Sequence, residues 1–194
     1  MKKFFGAFIA ALMMITFTAC GNSAVKPAEP AQVDKPADKI LVAYFSCTGH
    51  TKTAALEVAE ILHADVMEIV PAEPYTPADL YYQEENCRAN VEQKDSSARP
   101  AIKNKIDNPA QYKAIVIAFP IWWGAEPRII DTFVESYDLR GKTIVPVCTS
   151  GGSEIQTAEK NLRGLCKGGD FKEGKRLGII SGDDLKAWLE SLNL

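Results

Sequence analysis

Residues 40–45 form an unbroken apolar run, Ile-Leu-Val-Ala-Tyr-Phe, rich in β-branched and aromatic side chains. A run so short suits a strand buried on both faces, as in a parallel sheet, and such a strand needs helices on either side. The residues that follow, Ser46, Thr48, Gly49 and Thr51, are small or hydroxylated, and helical spacing starts directly after them. A strand that turns through hydroxyls into a helix makes an anion site. The first-turn N–H groups have no intrahelical partner, the helix dipole is positive there, and Gly49 lets a ligand approach the backbone.

The missing residues narrow the chemistry. Gly49-His50-Thr51-Lys52 does not supply the adjacent Gly, Lys and Ser/Thr of a Walker loop, and the chain has no G-x-G-x-x-G. The sixth residue after Cys47 is Thr53 rather than Arg, which excludes a phosphatase-like thiolate loop. Two readings of the stretch stand: a loop that holds one phosphate with neutral donors, or an ordinary turn whose hydroxyls cap a helix.

Downstream the pattern repeats. Ala54, Ala55, Val58, Ala59, Ile61 and Leu62 share one face, which predicts a helix over Lys52–His63, and Asp65–Val70 alternates as a strand closed by Pro71. Residues 71–111 then run on without a further strand, longer than a βα crossover requires. Within them Leu80–Val91 reads as helical, and Tyr75, Tyr81 and Tyr82 either line the mouth of a site or cover the sheet edge.

Ala114–Phe119 is a buried strand that feeds directly into Pro120-Ile121-Trp122-Trp123-Gly124. Open α/β sheets bind ligands at the carboxyl ends of central strands, and an indole stacks well on a planar aromatic ligand. One of the two tryptophans is expected to pack inward instead. A helix with Ile130, Phe133, Val134 and Tyr137 inward follows, with Pro127 read as its first residue. Lys142–Cys148 is the next strand, and Thr149-Ser150-Gly151-Gly152-Ser153 repeats the logic of the first loop. Ser153 and Gln156 read as a capping box for a helix that buries Ile155, Ala158, Leu162 and Leu165. Arg176–Ile180 is a last short strand, and Ser181 caps a final helix with Leu185, Trp188, Leu189 and Leu192 inward.

This alternation is that of a doubly wound parallel sheet. Ser46-Cys47-Thr48-Gly49-His50-Thr51 resembles the S/T-x-T-G-x-T phosphate loop of flavodoxins, and P-I-W-W-G with C-T-S-G-G-S extends the resemblance over residues 39–194. The resemblance implies an α/β fold of five parallel strands in the order 2-1-3-4-5 with helices on both faces. It also implies flavin mononucleotide (FMN) as cofactor. Ser46, Thr48, Gly49, His50 and Thr51 would take the phosphate. Pro120, Ile121, Trp122, Trp123 and Gly124 would meet the ring system, with one indole stacked on it, and Thr149, Ser150, Gly151 and Gly152 would serve its pyrimidine edge. His50 stands where Asn is usual, which leaves the phosphate role intact and makes the local charge pH-dependent.

An apolar indole face and a net acidic shell disfavour added negative charge on the flavin, which favours one-electron transfer. The expected role is therefore an electron carrier serving a redox partner protein or a small quinone-like acceptor. An NAD(P)H-dependent quinone or flavin reductase and a binding module without catalysis are the alternatives. The long 71–111 segment favours the former, as it can shape a substrate pocket, and His50 favours the latter.

Residues 1–20 read as a secretory signal, with Lys2-Lys3, an apolar stretch over Phe4–Phe17, and small residues before Cys20. Cys20 resembles the lipidated cysteine of a bacterial lipobox. Residues 21–38, built from Ala, Pro, Lys, Glu and Asp, are expected to be a solvated tether to the domain over 39–194. This places the protein outside the cytoplasm, on a membrane through a lipid anchor only. Loss of Lys2 and Lys3 would take 22 basic residues to 20 against 25 acidic, a net −5, with no basic footprint for nucleic acid. Cys47, Cys87, Cys148 and Cys166 allow three pairings, and one disulfide is left open.

Overall fold

The computed structural model describes residues 37–178 and 182–194. The expected signal, Cys20, the tether up to residue 36 and the Ser181 cap lie outside the described residues. Within them the chain runs β1 (Lys39–Tyr44), α1 (His50–Leu62), β2 (Asp65–Glu68), α2 (Arg88–Lys94), β3 (Tyr112–Pro120), α3 (Arg128–Glu135), β4 (Thr143–Thr149), α4 (Gln156–Leu165), β5 (Asp170–Phe171), β6 (Lys175–Leu177) and α5 (Gly182–Ser191). All strand pairs are parallel, and the order is β2-β1-β3-β4-β5, with β6 also paired to β4.

Alternation along each strand divides the core in two. Leu41, Ala43 and Phe45 join Ile115, Ile117, Phe119 and Ile144 under α3 and α4, which contribute Ile129, Ile130, Phe133, Ala158 and Leu162. Val42, Tyr44, Val116, Ala118, Val145 and Val147 point the other way, against Ala55 and Val58 of α1 and Leu185 and Leu189 of α5. Burial on both faces explains why β1, β3 and β4 read as continuous apolar runs.

The fifth sheet position, expected as one strand over Arg176–Ile180, holds two pieces instead. β5 pairs with Thr143 and Ile144, and β6 with Val147, Cys148 and Thr149. The break falls opposite Pro146. Its ring nitrogen faces the same edge as Ile144, whose carbonyl accepts from Lys172 N–H (2.9 Å), and it has no hydrogen to donate. The chain detours there, and Gly174 N–H donates to Glu159 Oε1 (2.7 Å).

Several local expectations shift. α1 starts at His50 rather than Lys52, and β2 stops at Glu68. Pro127 is the extended residue before α3, not its first turn. The helix expected over Leu80–Val91 appears only from Arg88, because side chains bind the upstream backbone instead. Asp79 Oδ2 accepts from Thr76 N–H (2.8 Å), and Asn90 Nδ2 donates to the carbonyls of Tyr82 (2.9 Å) and Glu84 (2.8 Å). The four domain cysteines are free thiols. Burial pushes Cys148 and Cys166 up to about 12, so both stay protonated and inert.

A Cβ on Gly174 would lie 2.5 Å from Pro146 O and 2.9 Å from Ile155 Cδ1. Gly174→Ala is expected to lower stability by roughly 1–3 kcal/mol through overpacking at this detour. Urea unfolding of the two proteins checks it, and an unchanged midpoint would show that the edge gives way freely.

Candidate functional site

The carboxyl ends of β1, β3 and β4 carry three loops, and hydrogen bonds join them. Phe45 N–H donates to Ala118 O (2.9 Å), and Ile121 N–H to Thr149 O (2.9 Å). Thr51 Oγ1 lies 2.7 Å from Thr149 Oγ1, and Thr51 is only 2 % exposed. This last contact brings together two residues 98 positions apart.

In the first loop, Gly49 adopts φ 91° and precedes α1 without any side-chain cap. Ser46 Oγ accepts from Gly49 N–H (3.1 Å), and the first helical N–H to find a main-chain acceptor is that of Thr53, on Gly49 O (3.0 Å). The N–H groups of His50, Thr51 and Lys52 are therefore left over at the helix start. Cys47, Thr48, Gly49 and His50 are exposed, and a Cβ added at Gly49 would meet nothing within 4 Å. The hydroxyl of Thr51 is committed to Thr149, so its main-chain N–H, rather than its side chain, faces the loop.

The second loop is a hairpin. Trp122 and Ala125 exchange both main-chain hydrogen bonds, at 2.9 and 3.1 Å, around Trp123 (φ 51°) and Gly124 (φ 79°). Two consecutive positive φ values define a type I′ turn, in which Asn or Gly is usual and tryptophan is strained. The two indoles part company there. Trp122 turns inward and meets Phe45 and Tyr75 edge-on, with ring centroids 5.6 and 5.4 Å away. Trp123 is 67 % exposed, with Nε1–H donating to Asn90 Oδ1 (2.7 Å) and its ring perpendicular to Tyr82 at 6.2 Å.

The segment after β2 supplies these partners. It leaves at Pro71 and returns at Ile102, where an antiparallel bridge closes its base. In between it forms an arm over the sheet edge whose helix, α2, carries Asn90 and Gln93. Gln93 Nε2 donates to the carbonyls of Trp122 (3.0 Å) and Glu126 (2.8 Å), so one amide grips both ends of the hairpin. Tyr75 packs down beneath Arg88, whose guanidinium stands 4.0 Å over its ring, while Tyr81 and Tyr82 stay exposed. Tyr82, Gln83, Glu85, Asn90, Lys94 and Trp123 wall a cleft of about 420 Å³.

The third loop departs from expectation. Ser153 and Gln156 make no capping box, since α4 begins after Ile155 with no side-chain cap. Ser150 Oγ instead accepts from Gly152 N–H (3.2 Å) and Ser153 N–H (2.8 Å). The Gly152 N–H is thus already occupied, and exposed Gly151 is the residue that offers one. Arg176 of β6 braces the loop from behind, donating to Ser150 O (3.1 Å), Gly152 O (3.3 Å) and Glu154 Oε1 (2.9 Å).

The structure therefore brings the predicted residues of all three loops to one sheet edge. It adds Asn90, Gln93 and Arg176, none of which the sequence singled out as site residues, and of the three tyrosines raised as candidates it sets Tyr82 against Trp123. Asn90 and Gln93 stand three apart on α2, a polar pair on one helical face, and that spacing was the available signal.

Residues 39–192 match the family model described as Flavodoxin. No curated protein matches the chain. A provisionally assigned flavoprotein from Bacteroides eggerthii is 43 % identical, covers 80 % of this chain and 98 % of its own, and superposes with a TM-score of 0.77. A second such protein from Bacteroides uniformis is 46 % identical over 80 % of this chain and 99 % of its own, with a TM-score of 0.76. A flavoprotein from Lactobacillus acidophilus, solved in complex with FMN, shares the fold at 24 % identity over 72 % and 93 % of the two chains, with a TM-score of 0.57.

Proposed function

The chain belongs to the flavodoxin family, and on that premise we propose that it binds FMN where the three loops meet and carries electrons outside the cytoplasm. The observation that carries the reading is the start of α1. Three unpaired N–H groups, the hydroxyls of Ser46 and Thr48, and an open Gly49 converge there beside an exposed and tethered indole. A phosphate fits that donor set, since it needs donors and close approach and finds no carboxylate among residues 46–53.

When bound, FMN supplies one- and two-electron chemistry. The chain's own residues hold and shield it. Ser46, Thr48, Gly49, His50 and Thr51 grip the phosphate, Trp123 offers its free face to the ring system, and Pro120, Ile121, Trp122 and Gly124 shape the hairpin that presents it. Thr149, Ser150 and Gly151 line the pyrimidine edge, with Gly152 held in place by Ser150. Tethering Trp123 to Asn90 before any ligand arrives reduces the ordering cost of binding.

Thr48 is exposed and supports nothing else in the fold, so Thr48→Val removes one hydroxyl donor cleanly. A hydrogen bond to a charged group contributes roughly 1.5–3 kcal/mol, so FMN affinity is expected to fall about 10- to 100-fold while riboflavin, lacking the phosphate, is unaffected. Fluorescence titration with both ligands checks this, and equal losses would remove the phosphate assignment.

Carriage is favoured over reductase activity because an exported flavoprotein meets little nicotinamide dinucleotide. The flavin of the loaded protein is accordingly expected to stay oxidised under NADPH alone. Rapid bleaching would overturn the carrier reading.

Location rests on Cys20, which the reading makes the lipidated residue after signal cleavage. Cys20→Ser is expected to move the protein from the membrane fraction to the soluble one. Retention of the variant through carbonate washing would require another anchor.

A further inference from the structure

The aromatic hairpin is held from below by a cluster of buried charges. Glu126 directly follows Ala125, the residue that closes the hairpin, and its side chain is fully buried. Asn161 Nδ2 of α4 donates to both of its oxygens, at 3.1 and 3.3 Å, and Arg128 Nη1 stands 3.6 Å from Oε1. Asp131, which is 2 % exposed, meets that same Nη1, so one guanidinium nitrogen brings the two carboxyls together. Asp131 lies 3.2 Å from Arg128 and 3.7 Å from Arg99. Arg99 is engaged by Glu135 at 2.6 Å, and Asp95 faces both arginines from the end of α2.

Two features tie this cluster to the hairpin. The main-chain carbonyl of Glu126 and that of Trp122 share the single amide of Gln93, so Glu126 cannot move without disturbing the grip on the tryptophan loop. Three buried atoms of the same cluster, Gln93 Oε1, Arg128 Nε and Asp131 Oδ1, have no hydrogen-bond partner. A buried polar atom without a partner costs stability, so these atoms weaken the support that the cluster gives the hairpin. Two adjacent carboxyls this deeply buried also hold one proton between them more readily than two negative charges.

We propose that the Glu126–Asp131 pair is a proton-operated latch on the aromatic hairpin. One proton on the pair keeps Glu126 buried and Trp123 against the arm. Loss of that proton draws Glu126 toward water, releases the Gln93 grip and loosens the hairpin. The latch goes beyond the FMN reading and does not depend on it.

Burial, reinforced by the charge of Asp131, pushes Glu126 up to about 7, against the opposing pull of Asn161 and Arg128. Burial raises Asp131 as well, although Arg128 and Arg99 pull it back and leave it the better bearer of the charge. The folded protein thus prefers a neutral Glu126 more strongly than an unfolded chain does. The resulting stabilisation is complete below the ordinary glutamate range and is lost as the pH rises through about 7.

The test follows indole N–H resonances of the whole protein, without added flavin, from pH 5.5 to 8.5. Trp123→Phe identifies the Trp123 signal, and Trp188 on α5 serves as an internal reference. The Trp123 resonance is expected to shift or broaden with a midpoint near 7 while that of Trp188 stays put. Glu126→Gln, which keeps the shape and removes the charge, should hold the low-pH spectrum across the whole range. Asp131→Asn, which removes the repulsion, should lower the midpoint by about one pH unit or more, and it carries the test if Glu126→Gln fails to fold. A Trp123 signal that ignores pH in the wild type, or a transition that survives in Glu126→Gln, overturns the latch. Because no flavin is present, failure here leaves the FMN reading untouched, and failure of FMN binding leaves the latch untouched.

Discussion

Everything at the site depends on the pairing of β3 with β1 on one side and β4 on the other. The registers Tyr44↔Ala118 and Pro120↔Thr149 bring three strand ends level, and the ladder continues one bond further on each side through Phe45 and Ile121. A slip of one residue would turn Ile115, Ile117 and Phe119 to the opposite face and would also offset the loops. Core packing and loop alignment are therefore set by the same register. The Thr51–Thr149 contact works because helix and strand are already positioned by that ladder, and it locks the first loop to the third.

Past the ladder, the second loop has lost its sheet partners, and its polar backbone must be satisfied in some other way. Trp122 and Ala125 satisfy each other. The carbonyls of Trp122 and Glu126 rely on Gln93, which arrives on an arm that leaves the sheet at Pro71 and returns at Ile102. The long segment after β2 is thus more than a covering for the edge. It supplies the amides that a Pro/Gly-bounded aromatic loop lacks, and it fixes the outward indole through Asn90.

The sequence showed this site unevenly, for physical reasons. Buried parallel strands and a hydroxyl-rich turn leave local signatures, so β1, β3, β4 and the first loop could be placed from residue pattern alone. That one tryptophan of the pair packs inward was expected, but which one follows from the turn, whose positive φ at Trp123 sends that indole outward. The partners of the hairpin were not legible. Asn90 and Gln93 are ordinary polar residues on a short helix until the fold brings them to it from 33 and 29 residues away. Ser153 and Gln156 matched a capping pattern by spacing, but Ser150 is nearer and takes the donors first. Glu126 carried a faint signal, an acid between Ala125 and Pro127 in an otherwise apolar stretch. Pro146 marked the broken edge strand, which becomes readable once the direction of its nitrogen is known.

The energetics of the hairpin explain why its anchoring matters. A non-glycine residue held in the left-handed region costs about 1–3 kcal/mol, and Trp123 is such a residue. Opposing that are the Asn90 bond to its indole and the two Gln93 bonds, each neutral and contributing about 0.5–1.5 kcal/mol net. Those three bonds offset a strain of similar size, and the Trp122–Ala125 bonds and the packing of Trp122 on Phe45 and Tyr75 add to them. A rigid sheet would absorb a change of one buried charge without moving, because many bonds resist it together. The hairpin tip lies past the ladder and has fewer bonds over which to share such a change. The proposed latch at Glu126, whose main chain carries one of those bonds, therefore acts on a part of the fold that few bonds hold.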